Sequence, residues 1–133
     1  MHQKIIFSLV LASLFFSCRN NTKDTRIILN NGMKWKINTE MMPPLEVSKK
    51  LISEFVANDE KDFYALADKL KENNKLLISS CTMKGKSHDE LHKWLHPYMT
   101  LVDDLENAEN ESEANQVFKR IEQSFIIFNQ YFE

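Results

Sequence analysis

The chain has 133 residues, of which 43% are hydrophobic and 27% charged, and it carries a net charge of −2. That length holds one domain. The slightly acidic balance, with no long basic run, excludes a nucleic-acid-binding surface.

The first predicted element is a targeting segment, residues 1–17. MHQKIIFSLVLASLFFSC places His2 and Lys4 before an apolar run from Ile5 to Phe16, then ends on Ser17-Cys18. A short basic region, an apolar core of roughly a dozen residues and a small residue at the cut form a secretory signal peptide. The run is shorter than the roughly 20 residues needed to span a bilayer. Its end resembles the lipobox of bacterial lipoproteins, with Phe15 where that pattern usually has leucine. The resemblance implies that Cys18 becomes the first mature residue and carries lipid, so that a lipid and not a helix holds the protein to the membrane. The alternative is a non-lipidated signal with an incidental cysteine. Either way the location is extracytoplasmic, in a bacterial cell envelope. Loss of residues 1–17 removes Lys4 and no acid, leaving a net charge of −3. With Cys18 lipidated, Cys81 is an unpaired thiol in a compartment that tends to pair cysteines or use them.

Residues 18–24 form a short polar tether, and residues 25–133 the folded domain. Over 25–37, RIIL and MKWKI flank Asn30-Asn31-Gly32. Asn-Gly favours the positive φ angles of a tight turn, which predicts a small β-hairpin. An isolated hairpin is marginal in water, so Ile27, Leu29, Trp35 or Ile37 should lean on a helical body. The first helix is expected from about Pro44 to Ala57, with Leu45, Ile52, Phe55 and Val56 on one side. The second begins near Asp59 with the stripe Phe63, Ala67, Leu70 and Leu77, interrupted by Asn74. Cys81 falls in phase with that stripe. Gly85 ends a loop, and Ser87 with Glu90 reads as a capping box starting a third helix near His88. That helix carries Leu91, Leu95, Tyr98, Val102 and Leu105, with Pro97 expected to kink it. After the polar ENAENESE, a fourth helix over about 113–132 turns Ala114, Val117, Phe118, Ile121, Phe125, Phe128 and Phe132 inward. Four amphipathic helices with short connections predict an all-α, up-down four-helix bundle with the small N-terminal hairpin beside it.

Chemistry concentrates in one stretch. CTMKGKSHDELHKWLHPYM, residues 81–99, holds Cys81, Met83, three of the four histidines and Trp94. His88, His92 and His96 recur every four residues and form a ribbon with Met99 and Asp103 at the border of the apolar stripe. His88 should lie nearest the core and His96 nearest solvent. Two imidazoles four apart on a helix can share a metal ion. A thiolate and a thioether beside them suit Cu⁺, with Zn²⁺ the alternative. The metal site expected from this pattern is Cys81, Met83, His88 and His92, with His96 and Met99 peripheral. Trp94, Met33 and Trp35 could add a thioether and an aromatic face. The competing reading is structural: methionines fill cores, a cysteine in phase with a stripe is a small hydrophobe, and Trp94 is core. The ligand types resemble the Met-, His- and Trp-containing sites of periplasmic copper chaperones, without likeness of fold.

Lys34 to Asn38 and Cys81 to Leu95 match segments, Lys-Trp-Lys-hydrophobic-Asn and Cys-Thr-Met-Lys-Gly…His-Asp-x-Leu-His-x-Trp-Leu, of a group of small bacterial lipoproteins that the chain resembles over nearly all its mature length. That resemblance carries no activity. The bundle also resembles the periplasmic b-type cytochromes, which hold haem between a Met on the first helix and a His on the last. Met41 or Met42 could take the first role, but helix four has no histidine, so no haem is expected. No nucleophile–base pair, carboxylate dyad, His-Glu-x-x-His motif or phosphate loop is present, so no enzyme is expected. The expected function is a lipid-anchored envelope protein that binds a metal ion, copper foremost, for buffering, sensing or delivery. The alternative is a metal-free interaction module whose envelope partner docks on the Cys81–Met99 surface.

Overall fold

The computed structural model describes residues 24–133, so the signal peptide and Cys18 lie outside the described residues. Four helices make up the body: α1 (Met42–Ala57), α2 (Phe63–Ser79), α3 (Gly85–Glu106) and α4 (Glu111–Tyr131), with a single 3-10 turn at Thr39–Met41 ahead of α1. Each packs on the next in the chain. The Phe55 and Phe118 rings, 5.2 Å apart, and Lys49 over the Phe128 ring bring α1 against α4 and close the bundle. Among the described residues no helix is long and apolar enough to cross a membrane.

The core follows the predicted stripes with few departures. All five inward positions of α3 and all seven expected of the fourth helix are buried, the last of them, Phe132, just past the end of α4, and Trp94 and Leu101 join them. Val56 is the exception on α1: it is 54% exposed, one position round from the buried Phe55. Burying the aromatic side chains, each with roughly 150–250 Å² of surface, dominates the folding energy. Trp94 stacks on Tyr98 at 5.1 Å and meets Phe128 at 4.7 Å, while Phe55 and Phe63 lie 5.0 Å apart near the other end.

Three helix starts differ from expectation. The first helix begins at Met42, because Pro43 and Pro44 fill its first turn, where a missing N–H costs nothing. The second begins at Phe63: Asp59 takes a left-handed φ of 50° that closes the preceding turn, and the Asp62 side chain then caps the helix by accepting the Ala65 N–H at 2.9 Å. The third begins at Gly85, whose φ is +69°, two residues ahead of Ser87 of the predicted capping box. That box does not form. Ser87 donates to the Lys84 carbonyl, and Glu90 instead accepts the Ile28 N–H at 3.0 Å and the Lys93 ammonium at 2.8 Å. Pro97 sits on the exposed face of an unbroken α3.

The segment before α1 caps one end of the bundle. Asn31 and Gly32, with φ of 52° and 84°, form the predicted tight turn, closed by paired bonds of 2.8 and 3.0 Å between Asn30 and Met33. No ladder extends from it, and the described residues contain no strand. The hairpin expected over 25–37 is therefore one bridge. Its second arm pairs instead with the end of the chain: Trp35 donates to the Tyr131 carbonyl at 2.8 Å, and Glu133 donates back to the Trp35 carbonyl at 2.9 Å. Trp35 is buried, and its indole N–H donates to the Ile28 carbonyl at 2.6 Å.

Candidate functional site

The expected metal ligands divide into two groups. Cys81 and Met83 belong to the linker between α2 and α3 and pack, partly buried, against the hydrophobic core. Their backbone is held by Asn38, which donates to the Ser80 carbonyl at 2.9 Å and accepts the Thr82 N–H at 3.1 Å. His88 and His92 lie on α3, their ring centroids 4.2 Å apart, and His96 continues the row at 4.6 Å. His88 and His92 are half-buried and His96 is exposed, the order expected from the helix phase. Among the described residues no group of three or more His, Cys, Asp or Glu side chains is arranged to hold a metal ion. The structure thus joins the histidines to one another and leaves Cys81 and Met83 with the core. Trp94 is 3% exposed and donates to the Ser124 carbonyl at 2.8 Å, so it is a core residue.

The histidine row lines a recess of about 530 Å³ with Asp24, Thr25 and Asp89. Asp24 is held well below the usual carboxylate range, at about 2, chiefly by the Arg26 guanidinium and then by the Arg26 N–H. Residues 24–27 lie across α3, and Thr25, Lys93 and Pro97 also line a second hollow on the other side of that crossing.

This second hollow, a groove of about 610 Å³ between α3 and α4, was not legible in the sequence. Its apolar lining is Ile27, Trp94, Pro97, Leu101, Ile127 and Tyr131. Gln123 and Gln130 add hydrogen-bonding groups, and the charged residues that line it, Arg26, Lys93 and Arg120, are all cations. Arg26 is paired with Asp24 and Lys93 with the buried Glu90, whereas Arg120 has no ion pair among the described residues. The groove therefore offers an apolar trough with one guanidinium available to an anion. Arg120 and Lys93 stand 27 positions apart on different helices, and only their packing makes them neighbours of one cavity. No protein-family model, curated protein or solved structure matches the chain.

Proposed function

We propose that the chain is a lipid-anchored protein of the bacterial cell envelope, held through Cys18, and that it is a binding module whose ligand is a small amphipathic anion taken up between α3 and α4. The groove carries this reading. Its volume of about 610 Å³ lies within the range of roughly 300–1,000 Å³ that small-molecule sites occupy. In a chain of net charge −2, no acidic side chain lines it. An apolar body would replace water over Ile27, Pro97, Ile127 and Tyr131, and a carboxylate or phosphate would meet Arg120, whose planar fork suits such groups.

The test uses the chain from residue 18 onward with Cys18→Ser, which contains every described residue. Titration with decanoate and with decanol, followed by calorimetry, should give tighter binding of the anion. Arg120→Gln should weaken decanoate at least about tenfold, the loss of one charge-assisted pair. Val47→Glu, on the exposed face of α1, should leave it unchanged. Equal affinity for acid and alcohol, or no effect of Arg120→Gln, would overturn the reading. Lipidation is tested separately, by mass spectrometry of the mature N-terminus: an unmodified terminus other than Cys18 removes the anchor.

A second reading keeps the metal, copper or alternatively zinc, and is favoured by the 4.2 Å approach of the His88 and His92 rings. It contracts the site to that imidazole pair, completed by water. Cu²⁺ and Zn²⁺ titrations should then lose binding in His88→Ala/His92→Ala and keep it in Cys81→Ser. A larger loss in Cys81→Ser would restore the four-residue site with Cys81 and Met83.

A further inference from the structure

The bundle is electrically lopsided along its axis. Both the α1–α2 and the α3–α4 connections lie at one end, where Lys61, Asp62, Glu106 and Glu111 line a common hollow. Residues 58–62 and 103–113 there hold nine carboxylates and a single lysine. The opposite end, under the N-terminal cap, reverses this. Residues 33–37 and 82–86 hold four lysines and no acid. Lys34, Lys36, Lys84 and Lys86 are all exposed, and none has an ion pair among the described residues. Lys86 lies over the Trp35 ring, 5.9 Å from its centroid, so the two lysine-bearing segments are neighbours. Nearby acids are few: Glu90 is buried against Lys93, and Asp89, Glu40 and Glu133 are exposed.

The same end displays apolar side chains where water should discourage them. Met33, at the tight turn, is 64% exposed, and Ile28 and Leu29 are 45% and 40% exposed. Lysines around a projecting apolar turn form the composition of an interfacial membrane contact: apolar tips enter the headgroup boundary and ammonium groups meet anionic lipid. Six residues separate position 18 from position 24, an extended reach of about 20 Å. Asp24 lies beside His96 and Pro97, part-way along α3, so a lipid on Cys18 would keep the domain beside the bilayer and leave the choice of docking face to the surface itself.

We propose that the lysine-rich capped end is a docking face for an anionic lipid bilayer, so that the bundle stands on the membrane with its carboxylate-rich end directed away. The inference rests on the envelope location proposed above, but its test does not depend on lipidation. The chain from residue 18 onward with Cys18→Ser, carrying no lipid, is sedimented with vesicles of phosphatidylglycerol and phosphatidylcholine, and with vesicles of phosphatidylcholine alone.

Binding is expected to the anionic vesicles only, and to fall steeply between 50 and 500 mM salt, about the range in which screening removes surface attraction. Each lysine neutralised should cost about fivefold in partitioning. Lys36→Gln/Lys84→Gln should therefore weaken binding about 25-fold, and Lys34→Glu/Lys86→Glu further. Lys61→Glu, at the far end, should change it less than twofold, and Met33→Ser should weaken it. Circular dichroism establishes that each variant is folded. Wild-type binding by the folded Lys36→Gln/Lys84→Gln variant would overturn the proposal. So would equal binding to neutral vesicles, no binding to anionic vesicles, or retention by a soluble acidic protein but not by lipid.

Discussion

Tyr98 and Asn74 put polar atoms where the bundle is otherwise apolar. The Tyr98 ring is fully buried, and its hydroxyl reaches the Ser48 Oγ only at 3.4 Å. Ser48 also accepts from the Asn73 amide at 2.7 Å, while the buried Asn74 Oδ1 has no partner. Burial, opposed by the Ser48 and Asn74 side chains, pushes the Tyr98 hydroxyl up to about 12 from 10.0. The native state therefore keeps this proton at pH values where the unfolded chain has lost it. Its stabilising contribution is intact below pH 10 and declines as pH rises from 10 through about 12. The total is on the order of 3 kcal/mol. Urea midpoints between pH 8 and 11 should fall in wild type and fall less in Tyr98→Phe. Asn74→Leu should raise stability by about 1 kcal/mol, because an unpaired buried oxygen costs about 1–3 kcal/mol. A lower Tm would show that the amide is paired in solution. Phase alone put Asn74 on the buried face, but its unpaired oxygen was invisible in the sequence: hydrogen bonding depends on which neighbours the other helices supply.

Caps decide where the elements begin, and the capping box read from the sequence is not among those that form. Ser87-x-x-Glu90 has the right spacing, yet Glu90 is drawn to the Ile28 N–H, 62 positions away. The reciprocal arrangement occurs instead at α4, where Asn110 accepts the Glu113 N–H at 2.9 Å and Glu113 accepts the Glu109 N–H at 2.9 Å. Asn110→Ala and Asp62→Ala should each destabilise by about 1 kcal/mol, read as shifts of the denaturant midpoint. Ser87→Ala should be near neutral, since its hydroxyl serves a carbonyl and not an orphan N–H. The cap segment follows the same logic. Asn31-Gly32 made the turn legible, but local pattern could not reveal that the arm after it prefers Phe132 to Ile28 as a backbone neighbour.

At the scale of the molecule, periodicity carried the architecture because helix burial is a local code: the apolar stripe and the inner face are the same residues. The candidate site was less legible. A shared helix gave the His88–His92 approach, whereas the groove needed α3 and α4 to be packed before Arg120 and Trp94 could line one cavity. The packing there is also the bundle's main aromatic seam. Phe128 lies 4.7 Å from Trp94 and 5.2 Å from Phe132. Phe128→Ala should cost about 3–5 kcal/mol, the usual loss for an aromatic removed from a tight core, and chemical denaturation would measure it.

The pairing of Trp35 with Phe132 sets the path that force would take through the protein. A pull from the N-terminal side loads residues 24–38 before any helix. The bonds there are spaced along the segment, from Lys93 to the Arg26 carbonyl, from Ile28 to Glu90 and from Trp35 to Tyr131. Tension therefore breaks them one after another, by peeling. The helices share load across a continuous packed core and yield together. Stretching a single molecule should release about 50 Å of chain, some 14 residues at full extension, in a low-force step before the bundle opens. The cap would thus act as a mechanical fuse, absorbing a tug at the tether while the four helices stay packed, although the groove and the histidine recess would lose the lining that residues 24–27 give them.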